Sequence, residues 1–378
     1  MPFPHICIEG SPRDRGLSYG RQAAERIGRG MEIYRAAMGS RGFEWAEVRR
    51  LATAFRPAIA AIDPDYLTEI DAIAEGAGIE VETVIVINAR SEIFNGRDPA
   101  GAAAMPAEGC TSGLAMAAAT RAGRLLHGQN WDFNADCVHS SIILEVVPDD
   151  GPAMLTFVEA GGLARSGFND RGIAVTANNL ECEADAGRIG MPLSMIRRRI
   201  LSSPTFAEAI GTVTSAPRAV SNNMTISAAH GDEAINLETT PDEVFPTWPG
   251  DDGLFSHSNH FQSAVANVKV RDGAKDGRTP CTFYRDRRVM RHLRAAGGEI
   301  TIDTFRAALT DDFGAPYAVC RPPVRSRSGH LSSSVASVVF DAAGGELHVR
   351  PAPWDPDTTW ALHRLAPATA AAAAAAAE

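Results

Sequence analysis

One cysteine lies where a flexible stretch meets the first strand of a β-rich region. Residues 108–112 read Glu-Gly-Cys-Thr-Ser, so that Gly109 directly precedes Cys110. A thiol at this place can attack the preceding carbonyl carbon, and glycine tolerates the strained backbone that the attack requires because it has no Cβ. Hydrolysis of the resulting thioester would leave Cys110 as an N-terminal residue, whose α-amine has an ordinary pKa of about 7.7–8.0. The Gly109–Cys110 bond is therefore a candidate autocleavage site, and Cys110 a candidate nucleophile with its own general base.

Other interpretations of these residue types stay open in the sequence. Cysteines outside disulfides are mostly buried for packing alone, and Cys110 fits that description too. His257 and His260 are three residues apart like a metal-ligand pair, but a third ligand in a suitable context is missing, so we expect no metal site. A papain-like Cys–His pair is conceivable among the ten histidines, yet Cys110 lacks the flanking sequence and the helix start of such nucleophiles. Common serine-hydrolase, metalloprotease and phosphate-loop motifs are absent from the sequence.

Four segments together resemble the acyl-coenzyme A:6-aminopenicillanic acid acyltransferase family of N-terminal nucleophile hydrolases. They are G-C-T-S at residues 109–112, G-Q-N-W-D-F at 128–133, S-N-H-F at 258–261, and V-C-R at 319–321 with the later V-A-S-V at 335–338. The similarity also includes Gly10-Ser11-Pro12 and covers nearly the whole chain apart from its alanine tail. Ser112 stands where the family usually has threonine, and both residues carry a hydroxyl.

This resemblance implies an αββα sandwich of two sheets between helical layers, and autoproteolysis into two chains that stay together. Matched residue by residue, Cys110 corresponds to the nucleophile, and Asp132, Asn259 and Arg321 correspond to its supporting polar residues. The resemblance implies no cofactor, although acyl-coenzyme A is a possible substrate.

Each supporting residue has a chemical role to test and a structural alternative. Asn259 would donate a side-chain N–H to the oxyanion of the tetrahedral intermediate, a contribution of roughly 2.7–4 kcal/mol; alternatively it is a turn asparagine. Asp132 would orient the amine of Cys110 and tune its pKa; alternatively it bonds only to its own loop. Arg321 would favour the thiolate and pair with Asp132; alternatively it is one of many surface arginines.

The elements that must position these residues follow from the hydrophobic pattern. We expect a helical N-terminal segment over residues 1–109, with helices over 13–39, 43–62 (broken at Pro57), 63–78 and 82–94 and a small-residue linker over 96–109. Strands follow at 113–120, 124–130, 140–147, 153–159, 172–177, 224–229, 234–238, 332–341 and 346–350, and helices at 192–201, 206–213, 282–296 and 302–309. Runs of strands and runs of helices indicate an α+β fold with a largely antiparallel sheet system. A catalytic body over 110–368 and a low-complexity alanine tail over 369–378 complete the predicted organisation.

Composition narrows the possible partners. The 378 residues carry a net charge of −10, with 45% hydrophobic and 22% charged residues, and no basic stripe with interleaved aromatics, so we expect no nucleic-acid binding. Six cysteines without C-x-x-C spacing are not a disulfide scaffold. Neither a signal peptide nor a membrane span is apparent, so we expect a cytoplasmic location and no membrane partner. The expected partners are a small-molecule amide or acyl substrate and the two chains made by cleavage, and a homo-oligomer is an open alternative.

Overall fold

Two β-sheets stack face to face between two layers of helices in the computed structural model, which describes residues 2–40, 42–95, 109–185, 187–276, 280–325 and 331–365. This arrangement confirms the predicted α+β sandwich. Among the described residues, no helix has both the length and the apolar character needed to cross a membrane.

The first sheet contains eight strands within the described part of the chain. In spatial order they are β1 (His5–Gly10), β4 (Ser141–Pro148), β5 (Met154–Glu159), β6 (Ser166–Asn169), β7 (Ile173–Asn179), β8 (Asn222–Ala228), β9 (Glu233–Thr239) and β10 (Val244–Thr247). β1 and β4 are parallel, whereas the other neighbours are antiparallel. The N-terminal strand therefore belongs to the sheet formed by the later part of the chain.

The second sheet is antiparallel and carries the candidate nucleophile. Its strands, in spatial order, are β11 (Leu254–His257), β2 (Gly109–Ala115), β3 (Leu126–Asn134), β13 (Leu331–Asp341), β14 (Glu346–Pro351) and β15 (Ala361–Arg364), and the short β12 (Val324–Arg325) pairs with β13. β2 lies between β11 and β3, so polar residues at the ends of both neighbours can reach its first residues.

One helical layer packs on the outer face of the first sheet. Its helices pack on this sheet or on one another: α1 (Pro12–Gly39), α2 (Trp45–Ala54), α3 (Arg56–Ile62), α4 (Pro64–Ala77), α5 (Val81–Asn88), α6 (Arg90–Asn95), α7 (Leu193–Leu201) and α8 (Phe206–Ser215). Local signals start several of them. Ser11 caps α1 by accepting from Asp14 N, Asp63 caps α4 by accepting from Asp65 N, and Thr205 begins α8 with a capping box.

The opposite layer packs on the outer face of the second sheet. It consists of α10 (Thr282–Ala295) and α11 (Ile302–Leu309), preceded by the short helix α9 (Ala264–Lys269). Val289 and Leu293 of α10 join Phe305 of α11 in a buried cluster against the sheet. The larger core lies between the two sheets and under the first helical layer. α10 is thus fixed over β2 and β11, where it can supply residues to the candidate site.

The predicted helical N-terminal region is confirmed by α1 to α6, but the structure adds a strand that was not predicted, because His5–Gly10 form β1. Ile6 and Ile8 of this strand are buried and its alternate residues are more exposed, the pattern of a half-buried strand. Six residues were too few to stand out before a long helix, and their partner β4 lies far away in the sequence. Short strands β6, β10, β11, β12 and β15 were also missed. Most of the predicted linker, residues 96–108, and the alanine tail lie outside the described residues, and the division at residues 109 and 110 remains a prediction.

Candidate active site

Cys110 is the second residue of β2 and is buried, with 1% of its surface exposed. β2 pairs with β3 so that Gly109 faces Asp132 and Cys110 faces Trp131. A residue at this position cannot turn freely, because both strands fix its backbone. The predicted nucleophile is therefore held in a rigid sheet rather than in a loop.

Asn259 reaches Cys110 from the neighbouring strand on the other side. β11 pairs with β2 through His257 and Ser112, and the chain then turns, which brings Asn259 beside the start of β2. Asn259 Oδ1 accepts from the backbone N–H of Cys110 at 2.9 Å, and Asn259 Nδ2 donates to the Asn179 carbonyl at 2.9 Å. The side chain contacts the backbone nitrogen that cleavage would turn into the α-amine.

Asp132 lies at the centre of the site and is fully buried. Its Oδ1 accepts from Ser334 Oγ at 2.5 Å. Its Oδ2 lies 3.8 Å from Arg321 Nη2 and 3.9 Å from Arg285 Nη1, and no hydrogen bond to Oδ2 is found within the described ranges. Burial of a carboxylate costs less when cations are nearby, so these two guanidiniums lower the cost of burying the charge of Asp132.

Arg321 belongs to the same cluster and is not a surface residue, because only 5% of it is exposed. Its backbone N–H donates to Ser334 Oγ, and Ser334 N donates to the Arg321 carbonyl, which ties this segment to β13. Arg321 Nη2 also donates to Cys281 Sγ at 3.6 Å. The structure thus brings together all four residues that the sequence singled out.

Arg285 is a member of the site that the sequence analysis missed. It is fully buried on α10. Nη1 donates to the Cys110 carbonyl at 2.8 Å and to Thr111 Oγ1 at 2.7 Å, while Nη2 donates to Asn259 Oδ1 at 2.8 Å. A signal was present: Arg285 shares the buried helix face with Thr282, Val289 and Leu293, and a cation on an apolar helix face needs a partner.

Gly109 is packed against the carboxylate of Asp132. A Cβ built on Gly109 would lie 2.5 Å from Asp132 Oδ2 and 2.8 Å from its Cβ. The need for glycine was predicted from backbone strain, but Gly109 is an extended residue of β2 and does not have a positive φ. The requirement comes instead from the close approach of the two strands at this pair.

Two further ionisable groups near the site, Cys320 and His260, stay uncharged near neutral pH. Burial, with a smaller effect of Asp132, raises the pKa of Cys320 to about 12. Burial, assisted by His257, lowers the pKa of His260 to about 4.

Both ring nitrogens of His257 have partners, which are Glu238 Oε1 at 2.8 Å and the Ser258 carbonyl at 2.8 Å. His260 Nδ1 lies 3.0 Å from Thr282 Oγ1. The two histidines therefore hold the loop that carries Asn259.

Arg285 retains its charge in the buried site. Burial alone would lower its pKa, but the opposing effects of Cys281 and Asp132 raise the pKa above its ordinary value. The geometry can therefore fix the backbone nitrogen of Cys110 through Asn259 and stabilise negative charge that develops nearby.

Comparison with known proteins gives matches over most of the chain. The family model for acyl-coenzyme A:6-aminopenicillanic acid acyl-transferase matches residues 119–350, which include Asp132, Asn259 and Arg321 and begin after Cys110. The 40 kDa form of the acyl-coenzyme A:6-aminopenicillanic-acid-acyltransferase from Emericella nidulans is 27% identical over 362 residues, which are 95% of each chain.

Solved structures also resemble the chain at low sequence identity. A mutant of the conjugated bile acid hydrolase from Clostridium perfringens has a TM-score of 0.46 and 14% identity, covering 68% of this chain and 92% of its own. A Caenorhabditis elegans orthologue of the N-acylethanolamine-hydrolyzing acid amidase has a TM-score of 0.43 and 15% identity, covering 66% and 94%.

The resemblance that the sequence motifs predicted is confirmed by the family match. That match covers more than half of the residues, and the chain therefore belongs to the acyl-coenzyme A:6-aminopenicillanic acid acyltransferase family and is an enzyme of the amidohydrolase and acyltransferase kind.

Proposed function

We propose that the chain is a self-processing cysteine amidohydrolase that cleaves the amide bond of a small N-acyl amine or peptide-like substrate. The observation that carries this proposal is the 2.9 Å hydrogen bond from the Cys110 backbone N–H to Asn259 Oδ1. This hydrogen bond places the peptide bond between residues 109 and 110 inside a buried polar site. A peptide bond in a solvent-exposed linker would have no side-chain partner of this kind.

Processing begins at the Gly109 carbonyl carbon. Cys110 Sγ attacks this carbon, the C–N bond breaks, and the Gly109 acyl group moves to sulfur while the nitrogen takes up a proton and becomes an amine. Water then hydrolyses the thioester to a Gly109 carboxylate and the Cys110 thiol. Cleavage divides the chain into residues 1–109 and the part that begins at Cys110.

Turnover uses the same thiol with the new amine as its base. The α-amine accepts the thiol proton as sulfur attacks the substrate carbonyl, and it returns the proton to the leaving amine when the C–N bond breaks. Water resolves the thioester acyl-enzyme. We propose that Asn259 donates a hydrogen bond to the oxyanion and that Asp132 orients the α-ammonium group. Arg321 pairs with Asp132 and supplies positive charge near the thiol. No cofactor enters these steps.

Intact mass under denaturing, reducing conditions tests the proposal most directly. We expect the wild type to give two fragments divided between Gly109 and Cys110, and Cys110→Ala to give one chain, because the variant lacks the attacking sulfur. A single chain in both proteins would contradict self-processing and favour an uncleaved, non-enzymatic binding module on the same fold.

An acyltransferase on the same scaffold is the second candidate, and it is favoured by the family match and by the name of the Emericella nidulans relative. The two activities differ only in whether water or an acceptor amine resolves the acyl-enzyme. Product analysis of the cleaved protein with an acyl-coenzyme A, with and without an acceptor amine, separates them. A new amide that appears only with the acceptor identifies a transferase, and free acid in both reactions identifies a hydrolase.

A further inference from the structure

Arg285 connects the backbone of the candidate nucleophile to the side chain that holds it. Its Nη1 contacts the Cys110 carbonyl oxygen at 2.8 Å, and its Nη2 contacts Asn259 Oδ1 at 2.8 Å. The Cys110 backbone nitrogen donates to the same Asn259 oxygen at 2.9 Å. A fixed guanidinium and the future α-amine therefore share one acceptor atom.

The charged and titratable groups near the Cys110 backbone nitrogen come from several elements. β3 supplies Asp132, whose Oδ2 lies 3.9 Å from Arg285 Nη1. The segment before β12 supplies Arg321, whose Nη2 lies 3.8 Å from the same oxygen. Cys281, directly before α10, accepts a hydrogen bond from Arg321 Nη2 at 3.6 Å. His260 is neutral near pH 7. Two buried guanidiniums thus surround a single buried carboxylate.

Resting on the proposed function, we propose that Arg285 is a positioning residue that keeps the α-amino group of cleaved Cys110 neutral, and so able to accept a proton. It does so by fixing the Asn259 amide and by placing a permanent positive charge beside the amine.

The hydrogen bonds give the first reason. A carbonyl oxygen has two acceptor positions, and Arg285 and Cys110 occupy both on Asn259 Oδ1. The side-chain oxygen of Asn259 is thereby held toward the Cys110 nitrogen. The amine donates one hydrogen to it and keeps its lone pair for the thiol proton.

Electrostatics gives the second reason. A like charge close to an amine disfavours its protonated form, and burial acts in the same direction. Asp132 opposes this effect, but Arg321 balances Asp132, which leaves the charge of Arg285 in excess. The same positive charge favours the thiolate that forms when the amine takes the proton.

The titration of the Cys110 amine in the cleaved protein tests this inference without knowledge of the substrate. Thiols are first blocked with methyl methanethiosulfonate, and the proteins are then labelled with trace acetic anhydride at a series of pH values. The acetylated peptide that begins at Cys110 is quantified by mass spectrometry. The proteins are the wild type, Arg285→Lys, Arg285→Gln and, as a matched control, Arg287→Gln, which changes an exposed arginine two residues along α10.

We expect the wild-type labelling midpoint to lie below the ordinary range of about 7.7–8.0. Arg285→Lys keeps the charge and should stay near the wild type, whereas Arg285→Gln should move the midpoint upward by about one pH unit or more. Arg287→Gln should not differ from the wild type. In assays of kcat/KM, the acidic limb should move by the same amount.

A wild-type midpoint within or above the ordinary range overturns the inference, and this measurement needs no variant to fold. An unchanged midpoint in Arg285→Gln, or a midpoint in Arg285→Lys equal to that of the glutamine variant, overturns it as well. These outcomes leave the proposed function intact, whereas an uncleaved wild-type chain contradicts self-processing itself.

Discussion

At the scale of single residues, the candidate site is a set of buried polar and charged side chains around the start of β2. Cys110, Asp132, Asn259 and Arg321 carry motifs, and all four lie in one buried cluster. Asn259 was predicted from its amide N–H groups, yet its Oδ1 makes the contact with Cys110. Arg285 has no motif, and only the packing of α10 on β2 places it in the site. Such contacts depend on tertiary geometry that residue types do not encode.

The close contact between Gly109 and Asp132 leads to a prediction about processing. Gly109→Ala should slow cleavage, because its Cβ would lie 2.5 Å from an oxygen of a carboxylate that Ser334 holds in place. Overpacking of this kind costs about 1–3 kcal/mol, which corresponds to a slowing of roughly fivefold or more. A time course of intact mass after purification measures the rate.

The circular dichroism spectrum of Gly109→Ala should match that of Cys110→Ala, which shows that slow cleavage is not a failure to fold. Cleavage of Gly109→Ala at the wild-type rate would show that the strand pair can widen at no cost, and that glycine is not required there.

At the scale of elements, helices were predicted well where caps and periodicity agreed. The start of α1 follows its Ser11 cap, and α4 begins after Asp63. The predicted break near Pro57 is present, but it lies just before the proline: α2 ends at Ala54 and α3 begins at Arg56. Pro57 lies in the first turn of α3, where a proline is tolerated. Short strands such as β1 and β6 were missed, because four to six residues are stabilised by pairing with distant partners rather than by their own pattern.

The packing of α1 on α4 makes opposite predictions for two glycines of the same helix. Gly20→Ala would place a Cβ 2.2 Å from the Ile73 carbonyl oxygen, whereas Gly28→Ala meets no atom within 4 Å. We expect Gly20→Ala to lower the free energy of unfolding by about 1–3 kcal/mol. Gly28→Ala should raise it by roughly 0.5–1 kcal/mol, because alanine loses less backbone entropy in a helix.

Urea unfolding of both variants in a Cys110→Ala background, which keeps one chain, provides the comparison. Equal effects of the two substitutions would mean that helix propensity, and not the contact between α1 and α4, determines the tolerance of α1 for alanine.

At the scale of the whole molecule, the sandwich depends on polar contacts between its sheets as well as on apolar packing. His127 of β3 is buried with its Nε2 2.7 Å from Thr176 Oγ1 on the facing sheet and its Nδ1 3.3 Å from Ser227 Oγ. The fold class was predictable from the order of strands and helices. The pairing of β1 with β4 and the facing of His127 with Thr176 were not, because both join segments that are distant in sequence.

His127 should make the folded state sensitive to acid. Burial lowers its pKa from an ordinary 6.5 to about 3, so between these values the unfolded chain binds a proton that the folded chain does not. Stability is therefore lost as the pH falls from about 6.5 towards 3, by at most about 1.4 kcal/mol per pH unit. Stability at higher pH is unaffected by this group.

Urea unfolding at several pH values across that window tests the effect. His127→Gln should lower stability at neutral pH but show a shallower decline with acid, while the exposed His230→Gln should keep the wild-type slope. An identical slope in all three proteins would assign acid sensitivity to other groups.

The strand β1 has a consequence for the protein once the bond before Cys110 is broken. Residues 5–10 would then belong to one polypeptide and their sheet partner to another, while both still share one core. Unfolding would become dissociation, and recovery would require two different molecules to find each other in solution. The stability of the cleaved protein would therefore depend on its concentration, and its persistence at high dilution would be set by the rate of unfolding.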